Sequence, residues 1–198
     1  MSAPKLFFLA ILCLFSAQTK AQQDETAVDD FVAAMAIAAS QYAGQPAAAI
    51  EATRTLLAES PTGVNVNILE PRQNHFAAVN FLCPYQTPGS VLVEQCNSQP
   101  AAAPATEPLA SLLGAIEELA EAAADVQLDP ASIHFIKAWK PNDRIVLVRA
   151  SFSSPSLGNG NAIFSCHNTA HGNEAPHMHC HYNSANPVGP NEPFASVR

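Results

Sequence analysis

Residues 133–152 read IHFIKAWKPNDRIVLVRASF. Two runs rich in β-branched and aromatic residues flank Lys140-Pro141-Asn142-Asp143, a cluster whose proline and Asx residues favour a turn. The spacing predicts an antiparallel hairpin with strands over 133–139 and 144–152. Working outward, Val64, Val66 and Ile68 alternate with Asn65 and Asn67, a two-residue period that predicts a strand with one buried face. His75–Leu82 leads as a further strand into Cys83, and Val91–Val93 precedes Cys96. Ala162–Cys166 and His177–Tyr182 close the set, separated from the hairpin by a glycine- and serine-rich stretch over 153–161 that reads as a loop.

Helical periods occupy other segments. Val28, Phe31, Val32, Met35, Ala39 and Tyr42 recur at three- and four-residue spacing, with Asp29 and Asp30 in the first turn, where negative charge suits the helix dipole. Pro46 opens a second helix carrying Ile50, Thr53, Leu56 and Leu57 on one side, which would form a helical hairpin with the first. Thr106 caps a third helix whose stripe is Leu109, Leu112, Leu113, Ile116, Leu119 and Ala123. The acidic face opposite, with Glu117, Glu118, Glu121 and Asp125, reads as a solvated surface. No internal repeat is evident. The expected fold is α+β: an N-terminal helical hairpin plus one further helix packed on an antiparallel sheet, stapled by two disulfides.

The chain's beginning predicts where it works. Lys5 followed by the apolar run Leu6–Phe15 and the small-residue segment Ser16–Ala21 has the anatomy of a secretory signal peptide, and the run is too short to span a bilayer. Cleavage near Ala21 would leave 22–198 as one secreted domain, with a Pro/Ala-rich loop at 99–108, an irregular tail at 183–198 and no membrane span. Cys13 would leave with the peptide. Cys83, Cys96, Cys166 and Cys180 would remain, an even number in an oxidising compartment. Four cysteines allow three pairings. Proximity favours Cys83–Cys96 and Cys166–Cys180, each closing a short loop between segments that read as neighbouring strands.

Nine Lys+Arg against seventeen Asp+Glu, a net charge of −8, argue against nucleic acid or anionic lipid as partner. Histidine is the chemical anomaly. Of seven, five fall in the stretch 166–182, CHNTAHGNEAPHMHCHY, namely His167, His171, His177, His179 and His181. Because His177, His179 and His181 alternate, a strand would aim all three imidazoles to one side and Met178 and Cys180 to the other. His167 and His171 would approach from the facing strand and loop. Imidazole is a common ligand of Cu and Zn, so these five residues are the candidate metal ligands.

His179-Cys180-His181 resembles the His-Cys-His core of multicopper oxidases, over three residues. That family continues with a further His four positions on, where this chain has Ala185, so its activity is not carried over. No G-x-S-x-G, H-E-x-x-H, P-loop or G-x-G-x-x-G sequence occurs. His75 and His134, isolated in strand-like runs, read as structural. Three functions follow: a secreted binding protein holding Cu or Zn on its C-terminal His face, an extracellular interaction or structural module with an unidentified partner and no functional metal, and a small metalloenzyme in which Glu174 would serve as base.

Overall fold

The computed structural model describes residues 28–42, 47–57, 60–72, 75–87, 93, 95–97, 109–155, 157–170 and 175–183. The expected signal peptide, Thr106, His171, Glu174, the expected loop at 99–108 and the residues beyond Asn183 lie outside these residues. In chain order the elements are α1 (Asp29–Gln41), β1 (Ala49–Leu57), β2 (Ser60–Arg72), β3 (His75–Pro84), α2 (Leu109–Glu117), α3 (Leu119–Asp125), a 3₁₀ turn (Pro130–Ser132), β4 (Ile133–Asn142), β5 (Ile145–Ser154), β6 (Gly158–Thr169) and β7 (His177–Tyr182). The class is α+β, with one antiparallel sheet in the order β3-β2-β1-β4-β5-β6-β7. Among the described residues no helix is long and apolar enough to cross a membrane.

The expected helical hairpin is corrected. Residues 49–57, AIEATRTLL, form the strand β1, with Ile50 and Ala52 buried on the helix-covered side and Glu51 and Thr53 on the other. Ile50, Thr53, Leu56 and Leu57 also fit a helical period, so the segment satisfies two patterns. The tertiary context decides, because β1 pairs with β2 on one side and β4 on the other. The third helix breaks at Glu118 into α2 and α3. The expected 153–161 loop is also corrected: β5 runs to Ser154 and β6 starts at Gly158, so the Gly-Asn-Gly-Asn run belongs to a strand. In the central hairpin β4 continues through Lys140-Pro141-Asn142, and the turn is Asp143-Arg144, where Asn142 Oδ1 accepts from the Arg144 amide at 2.9 Å.

Helices α1 to α3 cover one face of the sheet. Phe31, Met35, Leu112, Ile116 and Leu119 pack there with Ile50, Val66, Ile68, Ile136, Val148 and Phe164 in one buried cluster. Each such side chain contributes roughly 1.5–3 kcal/mol through removal of apolar surface from water. A smaller cluster of Ala49, Leu69, Trp139, Leu147 and Ile163 is buried on the other face.

The register also overturns the absence of a repeat. Read outward, β1-β2-β3 on one side matches β4-β5-β6 on the other, with β7 additional, and helix precedes strand in both halves. Where the halves join, Ile50 pairs with Ala138 and Ala52 with Ile136, flanking the central pair Glu51–Lys137. A pseudo-two-fold axis through that central pair exchanges Ile50-x-Ala52 with Ile136-x-Ala138. The buried helix positions Val28, Phe31, Ala34, Met35 and Ala38 recur at identical intervals as Leu109, Leu112, Ala115, Ile116 and Leu119. Val64 and Val66 of β2 correspond to Val146 and Val148 of β5, and Phe81 and Cys83 of β3 to Phe164 and Cys166 of β6. An αβββ arrangement therefore recurs in both halves, joined through their first strands, and the second half adds α3 and the edge strand β7.

The disulfides obey the same symmetry. Cys83–Cys96 and Cys166–Cys180 are both formed, the pairing that loop length favours. The sulfurs of the first lie 3.7 and 3.6 Å from the Ala34 carbonyl oxygen of α1. Those of the second lie 4.0 and 3.5 Å from the equivalent Ala115 oxygen of α2. Oxidised sulfur has no proton to donate, so these are packing contacts that seat each bridge under its helix.

Candidate metal-binding face

The C-terminal hairpin of β6 and β7 holds the histidines. Its register pairs Cys166 with Cys180, His167 with His179, Ser165 with His181 and Thr169 with His177. Alternation then separates two chemistries. Cys166 and Cys180 point into the core beneath α2, and Met178 packs beside them, half-buried. His167, His177, His179 and His181 share the opposite side, with His179 half-buried and the other three exposed.

Three of those imidazoles are neighbours. The His179 and His181 rings lie 4.3 Å apart, centre to centre and nearly perpendicular, and the His167 and His181 rings lie 5.7 Å apart. Two imidazoles bound to one zinc ion, with Zn–N near 2.0–2.1 Å, place their ring centres about 5 Å apart at the tetrahedral angle. The two observed separations bracket that distance. Among the described residues no three His, Cys, Asp or Glu groups already converge on a point. Neither 157–170 nor 175–183 contains an Asp, Glu, Lys or Arg, so no described charge on the hairpin opposes or pre-empts a cation. Both cysteines of the hairpin are in the disulfide, which leaves no thiolate to bind copper there.

Other polar groupings serve the fold. Asp30, 2% exposed, accepts from Arg54 Nε at 2.9 Å and Nη2 at 3.0 Å and from the Tyr85 hydroxyl at 2.7 Å. Burial first, then the neighbouring Asp30 carboxylate, pushes the Tyr85 phenol well above its ordinary range. On the face away from the helices, Asn80 donates to Asn65 at 2.6 Å and Asn67 at 2.8 Å. Asn67 in turn donates to Glu51 at 3.2 Å, and Glu51 lies 3.7 Å from the buried Lys137 ammonium. Glu117 is exposed and Glu118 stands at the break between α2 and α3, with no geometry for joint acid–base work.

The sequence reading missed one grouping. A cleft of about 300 Å³ between β4, β5 and β6 is lined by His134, Ser151, Ser153, Asn159 and Asn161. Ser151 donates to Asn161 and Ser153 to Asn159, each at 2.6 Å. The signal is present as alternation, Ser-x-Ser facing Asn-x-Asn, but all of it except Ser151 falls within 153–161, which reads as a loop. His134 is exposed at this cleft and not buried in the sheet. Comparison with protein-family profiles, curated proteins and solved structures returns no match.

Proposed function

We propose that this is a secreted, disulfide-stabilised binding protein that holds Cu or Zn on the outer face of the β6–β7 hairpin, with His167, His179 and His181 as the ligands supplied by one chain. The observation that carries the reading is the spacing of those three rings, together with a disulfide on the reverse side that holds their strands in register. His177 stands on the same side, and His171, outside the described residues, stays a candidate ligand on sequence grounds alone. Imidazole nitrogens favour divalent copper over zinc, so copper should bind more tightly.

The test is calorimetric titration of chelator-treated protein with Zn²⁺ and Cu²⁺, with metal content checked by mass spectrometry. One ion per chain is expected, with at least tenfold weaker affinity in His179→Ala and His181→Ala. Affinity should also fall from pH 7.5 to pH 5.5, because protons compete for the ligand nitrogens. Stoichiometric binding unchanged by either substitution would place the metal elsewhere. No binding after reconstitution would remove the metal reading and leave an extracellular interaction module.

A further inference from the structure

Among the described residues the β7 strand ends the sheet, and its backbone geometry says which groups face outward. Cys166 and Cys180 have Cα atoms 4.0 Å apart, the narrow spacing of a non-hydrogen-bonded pair. Three residues further on, the Asn183 amide donates inward to the Ile163 carbonyl at 2.7 Å. Both observations set one alternation. Odd-numbered residues of β7 bond to β6, and the N–H and C=O groups of Met178, Cys180 and Tyr182 point away from the sheet.

The histidines are palindromic on this edge. About His179 the strand reads His-Met-His-Cys-His in either direction, as far as side-chain class is concerned. We infer that β7 pairs antiparallel with the β7 of a second copy about a two-fold axis at His179, and that the paired strands bind zinc or copper between them. The inference rests on the metal reading above and adds its partner.

The register follows from the outward groups. Met178 would exchange backbone hydrogen bonds with Cys180 of the second copy, and Cys180 with its Met178. His179 would then face His179 of the second copy, and His177 would face His181, in the narrow pairs where opposite Cβ atoms come within about 4.5–5.5 Å. A slip of one residue would set imidazoles against Met178 or Cys180, which occupy the other face. Pro176, lacking an N–H, ends the window.

This arrangement also completes the coordination. Within one chain His177 lies opposite Thr169, two register positions along from the His167–His179 pair. Across the axis it stands beside His181, and so supplies a fourth imidazole to the three already grouped there. Four nitrogens satisfy tetrahedral zinc, and the two-fold axis generates two such sites per dimer. The hairpin carries no described charged side chain to resist the approach.

The test combines sedimentation velocity of the intact protein in chelator and with equimolar Zn²⁺ with calorimetric stoichiometry. Monomer in chelator, dimer with zinc and one zinc per chain are expected. His177→Ala, an exposed substitution, should still bind zinc, at least tenfold more weakly, and stay monomeric. Met178→Pro removes the outward N–H that pairing needs, at an edge position that tolerates proline. It should take up zinc as a monomer, with circular dichroism confirming the sheet. A wild-type chain that saturates with zinc yet stays monomeric overturns the pairing and leaves the metal reading standing. A zinc-dependent dimer that survives both substitutions also overturns it, because another surface would be responsible. Failure to take up zinc at all removes the metal reading and the pairing together.

Discussion

At the scale of single residues, one guanidinium ties the two halves together. Arg54 of β1 grips Asp30 of α1 through two nitrogens, lies 4.5 Å over the Phe31 ring and donates to the carbonyls of Ala131 and Ile133 at the entry to β4. Arg54→Met would leave the Asp30 carboxylate buried without its counter-charge, at a cost of about 3 kcal/mol. Urea unfolding should show that loss, and adding Asp30→Asn to the variant should recover part of it, because the two sites share one interaction. Tyr85 belongs to the same network. Its proton is held more tightly in the folded protein than in the unfolded chain. Stability from this group is therefore complete below the unfolded phenol value of about 10 and is lost as pH rises above it. The free energy of unfolding measured from pH 8 to 11 should fall more steeply for the wild type than for Tyr85→Phe.

Elements meet their limits where backbones come close. Gly63 of β2 faces Pro84 of β3, and a Cβ at position 63 would stand 2.6 Å from the Cys83 carbonyl oxygen and 2.9 Å from Pro84 Cα. Both are backbone atoms that cannot rotate away. Gly63→Ala should cost about 2 kcal/mol, in the range of overpacking, and should weaken the pairing that carries Cys83 to its disulfide. Thermal unfolding would register it, and an unchanged midpoint would show that β3 shifts freely. The strand pairs also explain which elements were legible. The β4–β5 hairpin was readable because two runs rich in β-branched and aromatic residues flank a segment holding proline and Asx residues. By contrast, β1 was not, because AIEATRTLL fits a helical and an extended period equally. Only hydrogen bonding to β2 and β4 on both edges makes extension the better use of its backbone groups.

For the whole molecule the pseudo-two-fold relation makes a quantitative claim. The two disulfides sit at equivalent places and close loops of similar length, with sequence separations of 13 and 14. Chain entropy assigns about 3 kcal/mol to each. The double variants Cys83→Ala/Cys96→Ala and Cys166→Ala/Cys180→Ala should therefore lose similar stability in urea. Only the second should also weaken metal binding, because it alone holds His167 against His179. The repeat stayed hidden in the sequence because the matching positions, some identical and some alike only in burial, are scattered among residues that differ. Leu112 answers Phe31 and Ile116 answers Met35, while the solvent-facing residues differ throughout.

Sequence alone determined the periodic features: the amphipathic first and third helices, the alternating strands, and the His-x-His-x-His spacing that puts three imidazoles on one side of a strand. Each depends on contacts within a few residues, where a repeat of two or 3.6 dictates the face. Tertiary structure decided what requires distant segments to meet. It made a strand of 49–57, joined the two halves through Glu51 and Lys137, and set His167 beside His179 and His181. The reason is that register across a sheet is fixed by burial of one whole face. Moving one strand by a single residue would turn every buried side chain to water, so partners far apart in the chain are selected together and not one at a time.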